Sequence, residues 1–140
     1  MIFIRGNIMK FNLIMVINKD MNKLLFCYRN KKPYKDRYNF VGGKIEGHEN
    51  SISAAYRELF EETGISNDKI NLIKYIDLNY WLEDVFIEVY YGVLKDDIEL
   101  VPEKNELFWI DLNQNFYDND IFAGDGLIGH IITHLEILNK

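Results

Sequence analysis

The chain has 140 residues, of which 48% are apolar and 27% are charged, and its 16 basic and 22 acidic side chains give a formal net charge of −6. This length and composition predict one soluble globular domain over residues 1–140 and leave no room for a second domain. The net acidity excludes a protein that coats DNA or RNA along its length, because such binding comes from Lys and Arg side chains that displace counterions from phosphates.

The single cysteine, Cys27, excludes an internal disulfide framework and a cysteine-based zinc cage, and it indicates a reducing compartment. Arg5 and Lys10 interrupt the apolar N-terminal stretch, and its longest uncharged run, residues 11–18, is too short to span a bilayer. No small-residue cleavage site follows this stretch. We therefore expect no signal peptide, no membrane partner and a cytoplasmic location.

Apolar runs rich in β-branched and aromatic residues predict five strands, at residues 11–18, 24–29, 70–79, 85–94 and 107–112. The first two runs are separated at hairpin length, which predicts antiparallel neighbours. Residues 51–63 and 127–138 carry helical spacing instead. Strands before, between and after two helices predict an α+β domain with a mixed sheet and helices packed on it.

The first predicted helix has a charged face that a surface helix does not require. With an apolar stripe that includes Ile52 and Leu59 facing the core, Glu58, Glu61 and Glu62 lie on the opposite side, at roughly 240°, 180° and 280° from Ile52. Arg57 alone does not neutralise these carboxylates. A hard divalent cation would, and Mg²⁺ prefers oxygen ligands. The pattern therefore predicts a site for Mg²⁺ or Mn²⁺.

The residues on either side of this helix fit a metal site. Gly42 and Gly43 end a predicted strand, and without a Cβ they can bring a backbone carbonyl close to a metal. Asn50 or Ser51 can cap the start of the helix, and Gly64 stands where a left-handed residue commonly ends one.

The segment 43–65 resembles the Nudix box at each defining position: Gly43, five residues, Glu49, seven residues, Arg57-Glu58-Leu59, one residue, Glu61-Glu62, one residue, Gly64-Ile65. The resemblance implies a Nudix fold over essentially the whole chain, an α/β/α sandwich in which the box forms a loop, a helix and a loop. It also implies an enzyme that uses divalent cations to hydrolyse a nucleoside diphosphate linked to another group.

The resemblance implies roles for six residues of the box. The metal ligands would be the carbonyl of Gly43 and the carboxylates of Glu58, Glu61 and Glu62. Arg57 and Glu49 would form a supporting ion pair. Which glutamate acts as general base varies in the family, and Glu58 is the leading candidate. A further acid from a later loop would be Glu103 or Glu106, and the sequence does not choose between them.

Residues 38–44 are similar to the segment of MutT-type and oxidised-purine triphosphatases in which an Asn reads the purine edge, and Asn39 occupies that place. Lys44, in the same segment, is a further candidate for substrate contact. Residues 107–112 and 122–126 resemble the stretch where those enzymes set an Asp or Asn against the base, which makes Asp125 the second base-reading candidate. A stacking face would come from Tyr38, Phe122 or Trp81. In the alternative, Asn39 holds a turn and Asp125 caps the last helix.

The favoured function is hydrolysis of a purine nucleoside triphosphate, such as an oxidised dGTP, to the monophosphate and pyrophosphate. Many ADP-ribose pyrophosphatases carry a proline about fifteen residues past the box, and in this chain Tyr80 stands there instead.

The alternative functions are an enzyme that removes pyrophosphate or a cap from RNA 5′ ends, and a non-catalytic module that senses nucleotides. The five cations of residues 29–37 either steer a phosphate chain or form a solvated loop. A monomer and a homodimer both stay open.

Overall fold

A computed structural model describes residues 8–135 and residue 138. In chain order the described elements are β1 (Met9–Ile17), β2 (Lys23–Tyr28), β3 (Tyr38–Asn39), α1 (Ser51–Thr63), β4 (Ile73–Tyr80), a 3₁₀ turn (Trp81–Glu83), β5 (Val85–Val93), β6 (Glu106–Asp111) and α2 (Leu127–His134). Across this part of the chain, no helix combines the length and the apolar character needed to cross a membrane.

The predicted elements are present, with differences at their ends. The bounds of α1 match the prediction, whereas α2 ends at His134 because Leu135 adopts an extended conformation. Of the residues predicted to continue this helix, 136 and 137 lie outside the described part of the chain. β3 was not predicted, since a strand of two residues is too short to show an alternating pattern.

The sheet is mixed and has six strands, in the order β3-β2-β1-β5-β4, with β6 paired to β2. β1 and β5 are parallel along their whole length, from the pair Met9 and Val85 to the pair Ile17 and Val93. β1 and β2 are antiparallel, as the sequence predicted, although their register is defined only where Ile17 faces Leu24. The expected mixed sheet is confirmed.

A core lies on each face of the sheet. Alternation along β1 sends Ile14 to one face and Met15 to the other. α1 packs on the first face through Ala55 and Leu59, and α2 packs on the second through Ile128 and Ile131. The sheet therefore lies between helices, which confirms the predicted sandwich.

The connection before α1 fills a gap beside β1. β2 pairs with β1 at Ile17 and diverges from it toward the N-terminal part of β1. There residues 41–45 run along the edge of β1 that β2 leaves. The amide of Ile14 donates to the carbonyl of Val41, and the amide of Ile45 donates to the carbonyl of Lys10, both at 2.8 Å. These bonds hold the loop that leads into α1 against the centre of the sheet.

Candidate functional site

α1 begins and ends at residues that satisfy its free backbone groups. The side chain of Asn50 accepts a hydrogen bond from the amide of Ile52 at 3.1 Å, so Asn50 is the cap and Ser51 is the first helical residue. Gly64 ends the helix with φ 78°, and its amide donates to the carbonyl of Phe60. The left-handed conformation explains the glycine at this position.

The buried stripe of α1 agrees with the predicted one at Ala55, Leu59 and Thr63 and differs in the first turn. There Ala54 is buried, whereas Ile52 is 37% exposed. The centre of the buried face is therefore rotated by roughly 40° from the position that Ile52 would give it. This rotation brings Glu62 to the edge of the core and leaves Glu61 exposed, so the two carboxylates meet different surroundings.

Arg57 joins three carboxylates of the segment. It forms two hydrogen bonds with Glu49, from Nε at 2.6 Å and from Nη2 at 2.8 Å. Its Nη1 donates to Glu58 at 3.1 Å and to Glu61 at 3.0 Å. The hydrogen bonds from Arg57 lower the pKa of the Glu49 carboxyl to about 2. The ion pair that the sequence led us to expect between Arg57 and Glu49 is therefore present.

Glu62 is turned away from Arg57 and toward the loop before the helix. Its Oε2 accepts a hydrogen bond from the amide of Gly42 at 3.2 Å. Burial raises the pKa of Glu62 to about 7; the Gly42 amide opposes this shift, and the charges of Glu58 and Glu103 add to it. Burial also raises the pKa of Glu58, against the influence of Arg57. The surroundings of Glu58 and Glu62 therefore stabilise the ionised carboxylates less well than water does, and a bound cation would compensate for this.

Gly42 and Gly43 allow close approaches that no side chain would permit. A Cβ on Gly43 would lie 2.4 to 2.6 Å from the carboxyl atoms of Glu58. A Cβ on Gly42, where φ is 151°, would lie 2.1 Å from the backbone oxygen of Asn12. Asn12 also holds Gly43 directly: the side-chain Oδ1 of Asn12 accepts from the backbone amide of Gly43 at 2.9 Å, and the backbone amide of Asn12 donates to the Gly43 carbonyl at 2.8 Å. The loop is thus fixed between β1 and Glu58.

A cavity of about 130 Å³ opens beside these groups. Its lining comes from the box and from the connection that leads into β6: Cys27, Glu58, Glu61, Glu62, Glu103, Lys104, Asn105 and Leu107. Glu103 therefore joins the box glutamates. Glu106 starts β6 opposite Tyr28, so its side chain leaves the sheet on the face opposite to that of Leu107. Of the two later acids, Glu103 is the one that the fold brings to the cavity.

Sequence reasoning did not connect Asn12 or Cys27 with the site. Cys27 is a buried thiol of β2, and it also lines the cavity. Burial raises the pKa of Cys27 to about 11, and the charge of Glu62 acts in the same direction. Asn12 carried a signal, because it is the one polar residue among the apolar residues 11–17.

The donor atoms suit a hard divalent cation, but they are not gathered around one point. In the part of the chain that the structure describes, no group of three or more His, Cys, Asp or Glu side chains is placed to hold a metal ion. Glu58 and Glu61 are directed to Arg57, and Glu62 to Gly42. The carboxylate chemistry fits Mg²⁺ or Mn²⁺. Side-chain rotation of Glu58 and Glu61 away from Arg57 would be needed to bring these oxygens together.

The candidates for substrate contact lie in three places. Asn39 pairs with Cys27 in the sheet, so its side chain leaves the sheet on the same face as that of Cys27, which lines the cavity. The Oδ1 atom of Asn39 accepts from the amide of Phe40 at 2.9 Å. Asp125 accepts from the hydroxyl of Tyr34 at 3.2 Å. The alternative role of Asp125 as a helix cap is wrong, since Gly126 holds the cap position of α2 without a side-chain bond. Lys44 is exposed, and its carbonyl accepts from Arg57 at 3.4 Å.

The three candidate stacking residues differ in exposure. Phe122 is 3% exposed and packs against Phe26 and Phe116, so it is wrong as a stacking face, because its ring belongs to the core. Tyr38 is half-buried and makes an edge contact with Phe108. Trp81 is 59% exposed at the tip of the turn between β4 and β5.

Two of the five cations in residues 29–37 have structural partners. Arg29 donates through Nε to the carbonyl of Pro33 at 2.7 Å, and Arg37 donates to the carbonyl of Asn119 at 2.5 Å. Asn30, between them, donates to the carbonyl of Lys104 at 3.2 Å. The stretch is therefore an ordered loop that borders the cavity, rather than a fully solvated one.

Comparison with known proteins agrees with this arrangement. The family model of the NUDIX domain matches residues 10–126. The chain therefore belongs to the NUDIX domain family. An 8-oxo-dGTP diphosphatase from Buchnera aphidicola is 48% identical to it over 46 residues, which are 33% of this chain and 37% of that protein. The matched part thus spans little more than a third of that relative.

Solved structures share the fold at low sequence identity. A MutT structure from work on Aliivibrio salmonicida and Vibrio cholerae has a TM-score of 0.67 at 19% identity, covering 91% of this chain and 98% of that one. An Ap4A hydrolase from C. elegans has a TM-score of 0.70 at 14% identity, with the same coverage of 91% and 98%. At such identities these likenesses show the Nudix fold and nothing more specific.

Proposed function

We propose that the protein is a Mg²⁺- or Mn²⁺-dependent pyrophosphohydrolase that splits a purine nucleoside triphosphate into the monophosphate and pyrophosphate. The observation that carries the proposal is the cavity that Glu58, Glu61, Glu62 and Glu103 line, with Gly42 bonded to Glu62 and Gly43 against Glu58. When bound, a divalent cation supplies charge neutralisation of the diphosphate and activation of a water molecule. The partial match to an 8-oxo-dGTP diphosphatase supports a purine substrate.

Each residue of the site has a task in this proposal. Glu58, Glu61, Glu62 and the carbonyl of Gly43 hold the cation, and Glu103, which also lines the cavity, completes the set. Arg57 holds Glu58 and Glu61 through Nη1 until they turn to the cation, and Glu49 fixes the other nitrogens of Arg57. Glu58 is our candidate for the general base, since it lies against Gly43 and borders the cavity.

Base recognition is assigned to Asn39 and Asp125, with Lys44 as a further contact. The side chain of Asn39 leaves the sheet on the face that carries the cavity, and Asp125 lies beside the ordered loop 29–37. Together they offer an amide and a carboxylate to the edge of a purine. A mononucleotide is favoured over an RNA end, because Arg29 and Arg37 are already bonded within the protein and two cations of the loop are thus engaged.

A substrate screen tests the proposal. Nucleoside triphosphates including 8-oxo-dGTP, dinucleoside polyphosphates, nucleotide sugars and 5′-triphosphorylated RNA are incubated with Mg²⁺ or Mn²⁺, and released phosphate and pyrophosphate are measured. We expect pyrophosphate from purine triphosphates. Hydrolysis confined to RNA ends, with steep loss of binding as salt rises, would favour the RNA enzyme. No hydrolysis of any substrate would favour a nucleotide sensor.

Base recognition is tested by Asn39→Ala and Asp125→Ala. If both side chains bond the base, each truncation lowers kcat/KM for the preferred purine triphosphate by about 5- to 150-fold. The loss on a pyrimidine triphosphate is expected to be small. Asn113→Ala and Asp120→Ala, at exposed positions between β6 and α2, serve as matched controls. Equal losses on all nucleotides would show that Asn39 and Asp125 only support the fold.

A further inference from the structure

Asn12 and Glu88 form a buried polar pair in the centre of an apolar sheet. They are partners in the register of the parallel strands β1 and β5, so both side chains project to the same face. Asn12 is 1% exposed and Glu88 is 5% exposed. A carboxylate and an amide at such positions must be compensated by partners, since water does not reach them freely.

Each side chain has one atom with a clear partner. The Oδ1 atom of Asn12 accepts from the amide of Gly43 at 2.9 Å. One carboxylate oxygen of Glu88 accepts from the ammonium of Lys74 at 3.0 Å, and the same ammonium bonds Asp77 at 2.9 Å. The charge of Glu88 is thus balanced from β4, and Asn12 faces the loop of the candidate active site.

The remaining atom of each side chain is buried without a hydrogen-bond partner in the described structure. These atoms are Nδ2 of Asn12 and Oε2 of Glu88. One is a donor and the other is an acceptor, and the residues that carry them are neighbours across adjacent strands. Buried groups that lack a protein partner are commonly bonded to an ordered internal water.

We propose that Glu88 is a positioning residue for Gly43 and acts through Asn12, with one internal water accepting from Asn12 Nδ2 and donating to Glu88 Oε2. The pairing fixes the orientation of the Asn12 amide. A flipped amide would set its NH₂ group against the Gly43 amide, which is a repulsive contact. It would also leave the water to donate to two acceptors, the Asn12 oxygen and the Glu88 carboxylate, without a hydrogen bond from Asn12 in return. The carboxylate, through the water, therefore favours the orientation in which Oδ1 of Asn12 is directed at Gly43.

This arrangement links a charged pair to the candidate metal loop. Lys74 and Glu88 hold the water, the water holds Asn12, and Asn12 bonds both polar groups of Gly43. Gly43 in turn lies against Glu58. The consequence for catalysis rests on the proposed function, whereas the effect of Glu88 on Gly43 does not.

Amide hydrogen exchange of the metal-free protein tests the link. In Glu88→Gln, which keeps the size and shape of the side chain, the group facing Asn12 no longer has to be an acceptor. We expect exchange of the Gly43 amide to accelerate about fivefold or more, the factor that one hydrogen bond supplies. The amides of Ile14 and Ile45, which bond to the carbonyls of Val41 and Lys10, report on the rest of the loop and are expected to change little.

Asp77→Asn is the matched control. It removes a carboxylate bonded to the same lysine, but at an exposed position. Its Gly43 exchange is expected to equal that of the wild-type protein. Unchanged Gly43 exchange in Glu88→Gln, or equal acceleration at Gly43, Ile14 and Ile45, would overturn the proposal.

Two further measurements separate this proposal from the proposed function. A crystal structure of the wild-type protein should show one water bonded to both Asn12 and Glu88, and the lack of that water would overturn the proposal even if Glu88→Gln fails to fold. In the active enzyme, Glu88→Gln is expected to raise the Mg²⁺ concentration for half-maximal rate while kcat at saturating Mg²⁺ changes less. An inactive protein that shows the water and the Gly43 exchange effect would refute only the proposed function.

Discussion

Gly43→Ala is expected to abolish most activity at little cost to folding. The new Cβ would lie 2.4 Å from the nearest carboxyl atom of Glu58, and ordinary contact begins near 3.4 Å. The carboxyl group must therefore move by about 1 Å. The atoms that the Cβ meets are the end of a flexible side chain that is 14% exposed, not backbone, so they can shift, and the free energy of unfolding should fall by about 1 kcal/mol, at the low end for overpacking. A displacement of about 1 Å at a reacting group can lower the rate roughly 100-fold.

Gly42→Ala and Gly47→Ala provide the comparison. At Gly42 the Cβ would lie 2.1 Å from a backbone oxygen of β1 that is held in the sheet, and φ is 151°. Neither can relax, so this variant should lose about 3 kcal/mol of stability or more. At Gly47 no atom lies within 4 Å of the added Cβ, and the variant should behave as the wild type.

The assay combines urea unfolding with kcat/KM for pyrophosphate release under saturating Mg²⁺. The expected pattern is a folded but nearly inactive Gly43→Ala, a destabilised Gly42→Ala and an unaffected Gly47→Ala. The reasoning would be refuted if Gly43→Ala kept its rate within about threefold of the wild type, or if it lost as much stability as Gly42→Ala.

Three further outcomes follow from the charges of the site. Glu62→Gln keeps an acceptor for the Gly42 amide and removes a half-buried charge near Glu58 and Glu103, so without metal at pH 8 the variant should unfold at equal or higher urea than the wild type. With Mg²⁺ the turnover of the variant should fall by orders of magnitude, and near-wild-type turnover would contradict the role of Glu62 as a ligand. Millimolar Mg²⁺ or Mn²⁺ should raise the melting temperature, by an amount equivalent to about 2.7 kcal/mol at a hundred times Kd, and no shift with either ion would count against the carboxylate site. Arg57 lowers the pKa of Glu49 from 4.5 to about 2, so the stabilisation that the ionised Glu49 provides is present above pH 4.5 and is lost as the pH falls toward 2. Urea unfolding should therefore distinguish Glu49→Gln from the wild type at pH 7 and not below pH 2. An equal difference at both pH values would show another cause.

Local patterns in the sequence predict the helix of the box with its bounds, because helical spacing and caps depend on residues within four positions of one another. The acidic face of that helix and the close approach at Gly43 follow from the same short segment, whereas the pair of Arg57 and Glu49 was implied by the resemblance to the Nudix box. The five strands were also predictable, since each is an apolar run bounded by polar residues. Their pairing was predictable only for the β1–β2 hairpin, where the two runs are adjacent in the chain.

The tertiary structure alone decides which distant residues complete the site. Asn12 and Gly43 are 31 positions apart, and no local pattern connects them. Glu103 and Glu106 look alike in sequence, but one lies in the loop over the cavity and the other leaves β6 on the far face. The parallel pairing of β1 with β5 likewise brings Glu88 beside Asn12. Such contacts depend on how the strands share one buried sheet, a property of the whole chain, whereas spacing within a segment determines only the shape of that segment.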